Sequence, residues 1–340
     1  MISVRWAKRC GPVLLCFVIA FSVSAPAVSA DDGPFVIRSQ NPFTRVFGLP
    51  MYPSTATTRS GQWDGLLVFD IVNHADSGDD ADETVVLDGE TYIANAIVSF
   101  GLTDRWQLGA DVPYVWYSAG RMDGFLENWH DLFSISNNNR GGPEDELLIS
   151  YMRDQAPVYV MTEANSGIGD VRVWATYELM DRGEGRTRIV TRATLKLPTG
   201  DSDDLHGSGA ADLAWDVAVR HTLYEGRTSV SLSAHVGVLA LGNGDVLADY
   251  QEDIVPYGGI GIVWHIAKHM DLMAQIYGQA SYFDSDLDAL GASSVQLTAG
   301  VRYGWPNTKV ELLLGLAQDL FADTTPDIAF HFELRKVFAR

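Results

Sequence analysis

From residue 62 onward the chain runs in short segments of alternating apolar and polar residues, cut in turn by very short and by longer, acidic connections. In Trp106-Gln107-Leu108-Gly109-Ala110-Asp111-Val112-Pro113-Tyr114 the even positions are apolar or aromatic and the odd ones polar, Gly or Pro. Successive strand side chains point to opposite faces, so such a segment has one greasy face and one wet face. Closed into an antiparallel sheet, this is the pattern of an outer-membrane β-barrel with lipid outside and a polar lumen within.

A period of two predicts about twelve strands, over 62–73, 90–101, 105–118, 168–180, 187–199, 211–223, 228–241, 255–267, 271–283, 293–304, 309–320 and 328–338. The connections 102–104, 181–186, 224–227, 268–270 and 305–308 are short, as periplasmic turns should be, and alternate with longer ones. The longer set is acidic, with Asp76, Asp79, Asp80, Asp82 and Glu83, then Asp201, Asp203 and Asp204, then Asp245, Asp249, Glu252 and Asp253, then Asp284, Asp286 and Asp288. Arg105, Arg182, Arg186, Arg188, Arg227, Lys268 and Lys309 gather at the short turns instead. Aromatics mark the strand ends as an interfacial girdle would, with Trp106, Tyr303, Trp305 and Phe338 at the inner rim and Tyr92, Trp116 and Tyr282 at the outer.

A soluble β-sandwich or lipocalin-like barrel would have a dry interior. Here the sets Leu312, Leu314, Leu316 and Ile260, Ile262, Trp264, Ile266 are backed by Arg188, Arg192, Lys196, by Asp212, Asp216, Arg220 and by Gln275 and Gln279. Those backing sets are too polar for a dry core, so the apolar sets belong on the outside.

Arg5, Lys8 and Arg9 precede the apolar run Val13 to Phe21, and Val28-Ser29-Ala30 supplies small residues, which predicts a secretory signal peptide over 1–30. Cys10 and Cys16 both fall inside it, so the mature chain has neither disulfides nor thiolate sites. Removing it takes the formal charge from −20 to −23, which argues against a nucleic-acid partner.

Two stretches are not barrel wall. Residues 31–61 are rich in Pro, Gly, Ser and Thr yet carry Phe35, Val36, Ile37, Phe43, Val46, Phe47 and Leu49. A solvated tail would not be expected to carry that apolar set, so we expect a plug in the lumen, with Phe35, Phe43 and Phe47 as its anchors. Residues 119–167 form an outward insertion with helical spacing at Phe125, Leu126, Trp129, Leu132 and Phe133, read as a partly helical lid.

Gly33-Pro34-Phe35, Asn41-Pro42-Phe43, Phe47-Gly48-Leu49-Pro50, the Phe125 to Phe133 segment, Gly169-Asp170-Val171-Arg172, and Leu197-Pro198-Thr199-Gly200-Asp201 followed by Gly207-Ser208-Gly209 and Asp212 resemble the domain-of-unknown-function family 3187 of Gram-negative bacteria. The resemblance covers nearly the whole mature chain. It implies an outer-membrane barrel and carries no activity or functional residues with it. The last strand, Ile328 to Phe338, also resembles the C-terminal signal read by the barrel assembly machinery, although Ala339 and Arg340 follow the aromatic.

For chemistry, His206-Gly207-Ser208 deserves weighing, because outer-membrane phospholipases resemble it in using a Ser and a His two residues apart. A nucleophilic Ser needs a base and a third group that orients the base, and no Asn lies in the adjoining strands. The other histidines have no metal-ligand spacing, and the Asp284-Ser285-Asp286-Leu287-Asp288 run lacks the Gly and the closing Glu of a calcium loop, so we expect neither metal nor cofactor. The lumen offers more. Arg188, Arg192 and Lys196 point inward between Asp170, Arg172 and Glu178 on one neighbour and Asp212, Asp216 and Arg220 on the other, which predicts ion pairs across the ladder and a charged constriction.

The expected molecule is all-β, a transmembrane antiparallel up-and-down barrel in the outer membrane, working as a passive channel or transporter for small molecules, apolar ones included. Its expected partners are outer-membrane lipid and lipopolysaccharide, the assembly machinery and an unknown small-molecule solute. The alternatives are a structural or surface-interaction barrel binding lipopolysaccharide through cations, and a lipid-modifying enzyme.

Overall fold

The protein is described by a computed structural model covering residues 33–80, 82–120, 146–183, 185–224, 228–306, 308–320 and 328–338. Its strands are β1 (Trp63–Asp79), β2 (Glu83–Gly101), β3 (Trp106–Ser118), β4 (Leu148–Arg153), β5 (Ala156–Met161), β6 (Asn165–Ile168), β7 (Arg172–Arg182), β8 (Thr187–Lys196), β9 (Asp212–Tyr224), β10 (Ser229–Ala240), β11 (Ile254–Ala267), β12 (Met270–Gln279), β13 (Ser294–Gly304), β14 (Val310–Asp319) and β15 (Ile328–Phe338). Twelve of them, β1 to β3 and β7 to β15, form a closed antiparallel barrel. Closure is made by β1 against β15, in a continuous register from Trp63 opposite Phe338 to Asn73 opposite Ile328.

The alternation of the sequence becomes an alternation of surroundings. On β9, Leu213, Trp215, Val219 and Leu223 are exposed on the outside while Asp212, Asp216 and Arg220 are buried on the inside. On β11, Ile260, Ile262 and Trp264 face out and Tyr257 and Val263 face in. The exposed apolar belt matches a lipid environment, and the polar inner face would be costly against a dry core. Aromatic pairs mark the short-turn rim, with Trp63 and Phe100 at 4.7 Å, Trp106 and Tyr177 at 4.7 Å, and Tyr303 and Trp305 at 5.5 Å between ring centroids.

Three departures from the sequence reading concern the long-connection end. First, β1 and β2 run on to Asp79 and from Glu83 as one paired hairpin, so Asp76, Asp79 and Glu83 are strand residues and not loop. A strand of 9–11 residues already spans a bilayer, so these 17- and 19-residue strands project well past it. Second, the part of the 119–167 insertion that is described is strand: β4 lies along the outer half of β2, β5 along β4, and β6 along the end of β3. The helical spacing at Phe125 to Phe133 lies outside the described residues, as does the expected signal peptide. Third, β12 stops at Gln279, so Tyr282 is no rim aromatic. It is buried and stacked on Phe47 at 5.3 Å, because the chain after β12 folds inward over the lumen. A single helical turn, Asp288–Gly291, follows it.

Candidate functional site

Residues 33–58 lie inside the barrel, and their path follows from which wall groups they meet. Phe35, at mid-height, lies against the directly paired glycines Gly300 of β13 and Gly315 of β14, and edge-on to His331 at 5.7 Å. A methyl group added at Gly315 would stand 2.9 Å from the Phe35 ring, so the missing side chains form the notch that receives it. The segment then rises to the long-connection end, where Asn41 Nδ2 donates to the Ala289 carbonyl and Phe43 meets Tyr159 of β5 edge-on at 5.6 Å. It turns over residues 41–47 and descends past Gly48, Pro50 and Tyr52 to Thr58, whose N–H donates to Gln107 Oε1.

The three Phe side chains are fully buried, each contributing about 1.5–3 kcal/mol relative to exposure. Ile37, Val46, Leu49 and Tyr52 pack with them in one apolar cluster, and the segment's polar contacts go mainly to the barrel's lumen charges. Arg172 Nη2 donates to the carbonyls of Arg45 (3.4 Å) and Phe47 (3.0 Å), Arg192 Nη2 to that of Met51 (2.9 Å), and the Tyr277 hydroxyl to that of Pro50 (2.8 Å). In the other direction, the Gly48 N–H donates to Asp212 Oδ2 (2.8 Å), the Val36 N–H to Glu333 Oε1 (2.6 Å) and Gln40 Nε2 to Asp70 Oδ2 (3.2 Å). The Tyr52 hydroxyl shares a hydrogen bond with Ser233 at 2.9 Å.

The expected constriction residues separate into three levels. Highest, Lys196 Nζ lies 2.5 Å from Asp170 Oδ2, 3.2 Å from Asp212 Oδ2 and 2.5 Å from Ser208 Oγ, with every partner buried. Asp170 also accepts from the N–H groups of Thr199, Gly200 and Ser208, which fixes the connection between β8 and β9. In the middle, Arg172 pairs with Asp111 at 3.4 Å and Arg192 with Asp216 at 2.9 Å, while the Tyr257 hydroxyl donates to Asp216. Lowest, Arg220 donates to the Gly185 carbonyl, Arg188 pairs with Asp181 at 3.3 Å, and Glu178 sits at a register break in β7. The last three lie toward the short-turn rim, away from the lumen segment.

Sequence reading did not single out Asp111, Asp70, Glu333, Tyr257 or Tyr277. All lie at inward parity, and that parity was the available signal. Naming their partners requires the register, which places Asp111 opposite Arg172 and Asp70 opposite His331. His331 sits between two carboxylates, Nδ1 at 2.6 Å from Asp70 and Nε2 at 2.8 Å from Glu333.

His206 and Ser208 do not form a dyad. Ser208 bonds to Lys196 and is fully buried, while the His206 ring stacks on Tyr117 at 6.2 Å, and no hydrogen bond joins the two. Burial, and then the charge of Arg45, lower the pKa of His206, so it is neutral at pH 7. Among the described residues no group of three or more His, Cys, Asp or Glu could hold a metal ion.

The sequence model of a family described as "Protein of unknown function (DUF3187)" matches residues 11–338. The chain belongs to the DUF3187 family. No curated protein matches it. Among solved structures, this DUF3187 chain is similar to the COG4313 outer membrane channel from Pseudomonas putida F1, at 13% identity and a TM-score of 0.52, over 87% of this chain and 98% of that one. The NanC porin gives 8% identity and 0.45 over 82% and 100%, and the Pseudomonas putida toluene transporter TodX 11% and 0.34 over 89% and 98%. At these identities only the first likeness bears on the DUF3187 chain, and it concerns the barrel fold.

Proposed function

We propose that the protein is a passive outer-membrane channel for small molecules whose lumen is gated by residues 33–58 acting as a plug. The observation that carries this is the nature of the plug's attachment. Beside an apolar cluster in which Phe35, Phe43, Phe47 and Leu49 pack with wall residues, it is held by individual hydrogen bonds donated by Arg172, Arg192 and Tyr277 and accepted by Asp212 and Glu333, each of which water can replace. A barrel serving only as a wall has no need of a polar lumen filled by a separable strap. The fold-level likeness to a COG4313 outer membrane channel supports the same reading.

Planar-bilayer recording from the purified chain tests it. Discrete conductance steps, together with swelling of proteoliposomes in small neutral solutes, are expected, and an inserted, heat-modifiable barrel that shows neither would favour a structural role. The orientation has its own check, since the only cysteines are Cys10 and Cys16 in the expected leader. Single cysteines replacing Asp80 or Asp286 should react with an impermeant reagent on intact cells, and one replacing Asp104 should not. Labelling of the Asp104 variant would turn the barrel upside down.

A further inference from the structure

Below the descending limb of the lumen segment, toward the short-turn rim, lies a cavity of about 130 Å³. Its roof is formed by residues 50–59 and its walls by β1, β2, β3, β7 and β8, closed on one side by Lys309 and Arg335. The volume is comparable to the roughly 150 Å³ that accommodates benzene in an engineered protein cavity. The lining falls into two kinds. Trp174, Leu66, Ile97 and Val190 contribute its apolar surface.

Interleaved with them are five cations, Arg59, Arg172, Arg192, Lys309 and Arg335, with Arg172 two positions from Trp174, Arg192 two from Val190, and Arg335 opposite Leu66 in the register. Three of them have acidic partners, with Arg172 on Asp111 (3.4 Å), Arg192 on Asp216 (2.9 Å) and Arg335 on Asp64 (3.5 Å). Arg59 and Lys309 make no ion pair among the described residues. Glu311 of β14 stands opposite Arg335 in the register but does not line the cavity. Counting Glu311 with Asp64, Asp111 and Asp216 gives four acids to five cations, still a positive balance in a chain whose net charge is −20. Low-dielectric walls focus such a field on whatever enters.

Behind the cavity wall, its residues include polar atoms without partners. Arg172 Nε and Thr194 Oγ1, on residues at most 3% exposed, have no hydrogen-bond partner, and neither has Asp111 Oδ1 beside them. These atoms have essentially no accessible surface, so they lie behind the cavity wall, and the groups that meet a ligand are the cations and apolar side chains lining it. The cationic lining suits an acceptor-rich, negatively charged head.

We propose that this cavity is a binding site for small organic carboxylates with a flat apolar body, the carboxylate drawn to Arg59 and Lys309 and the body laid against Trp174. As a statement about what crosses the membrane it rests on the channel reading; as a statement about binding it does not.

The probes are benzoate, its neutral amide benzamide, and benzylammonium, titrated calorimetrically into the detergent-solubilised full chain at low ionic strength. Benzoate should bind at least about tenfold more tightly than either of the others, as a charge-assisted hydrogen bond implies, and added salt should weaken it. Arg59→Gln with Lys309→Gln should abolish the preference for benzoate while the protein stays heat-modifiable. Equal binding of the three probes, no benzoate binding by the folded chain, or an unchanged preference in a folded double variant would each overturn the site. Bilayer recording of the same preparation separates the two readings. Conductance without benzoate binding refutes the site and leaves the channel, and benzoate binding without conductance under any voltage retains the site and refutes the channel.

Discussion

A chain lacking residues 33–58 should insert as a heat-modifiable barrel and conduct several-fold better than the intact protein, with faster uptake of small neutral solutes. The expectation follows from where the groups freed by the deletion would be left. The deletion takes away three fully buried Phe side chains and the carbonyls that accept from Arg172, Arg192 and Tyr277. Those three wall groups, with Asp212 and Glu333, then meet water, which can satisfy them at little cost. The ion pairs Arg172 with Asp111, Arg192 with Asp216 and Lys196 with Asp170 lie within the wall itself and survive the loss. Opposite-charge pairs on the inner face therefore keep the lumen open and neutral enough to pass solute. Single-channel recording and liposome swelling read the result directly. A deletion variant that folds and conducts no better than the parent would sink the plug. If that variant loses its fold, Gly315→Leu gives the second route, because it crowds Phe35 out of its notch without shortening the chain. It should raise conductance in the same direction, though by less.

Lys196→Met should be among the most damaging single substitutions in the protein. Lys196 is fully buried, with Asp170 and Asp212 on either side of it. Breaking a buried ion pair from one side leaves uncompensated charge and costs about 3–5 kcal/mol. Here two carboxylates would be left facing each other. The effect reaches further than the ion pairs, because the same two carboxylates also position three pieces of chain. Asp170 holds the N–H groups of Thr199, Gly200 and Ser208, and Asp212 holds those of Gly48 and Gly242. The expected result is a large drop in the urea midpoint of the barrel folded into lipid vesicles, accompanied by protease sensitivity near Gly48. Adding Asp212→Asn to Lys196→Met should recover part of the loss, since one of the two stranded charges is then removed. An unchanged midpoint for Lys196→Met would mean that the cluster contributes nothing to holding the barrel's upper end together.

The barrel wall was legible in the sequence because a membrane barrel obeys one rule at every strand. A lipid face and a lumen face cannot exchange residues, so a run such as Leu213 to Arg220 shows its parity without any structure. The inward set Lys196, Arg192, Asp212 and Asp216 followed from the same rule, and the structure brings those four into ion pairs. Parity stops being informative where a strand leaves the membrane. Beyond the bilayer both faces meet water or protein, so Asp76 and Glu83 read as loop although β1 and β2 continue through them. Tyr282 misled for a related reason, since an aromatic at a strand end can serve the lipid interface or a lumen contact, and only the inward fold after Gln279 decides between them. Glu178, Arg188 and Arg220 share the parity of the charged cluster, but height along the barrel axis comes from register, and register placed them near the rim. The cavity beneath residues 50–59 could not have been read at all, because it exists only between two parts of the chain brought together by closure.

The clasp between the lumen segment and β15 bears on the order in which the molecule can be made. Phe35 and Val36 stand near the start of the described chain, yet they bind His331 and Glu333 on its final strand, Val36 and Glu333 being 297 positions apart. That same strand pairs with β1 to shut the cylinder. A segment that turns back on itself inside the barrel, with Phe43 against an outer hairpin and Thr58 near the opposite rim, has no simple way to thread in afterwards. The contacts that seat the segment and the pairing that shuts the cylinder thus fall on one strand, so sealing the seam and holding the contents are expected to succeed or fail together.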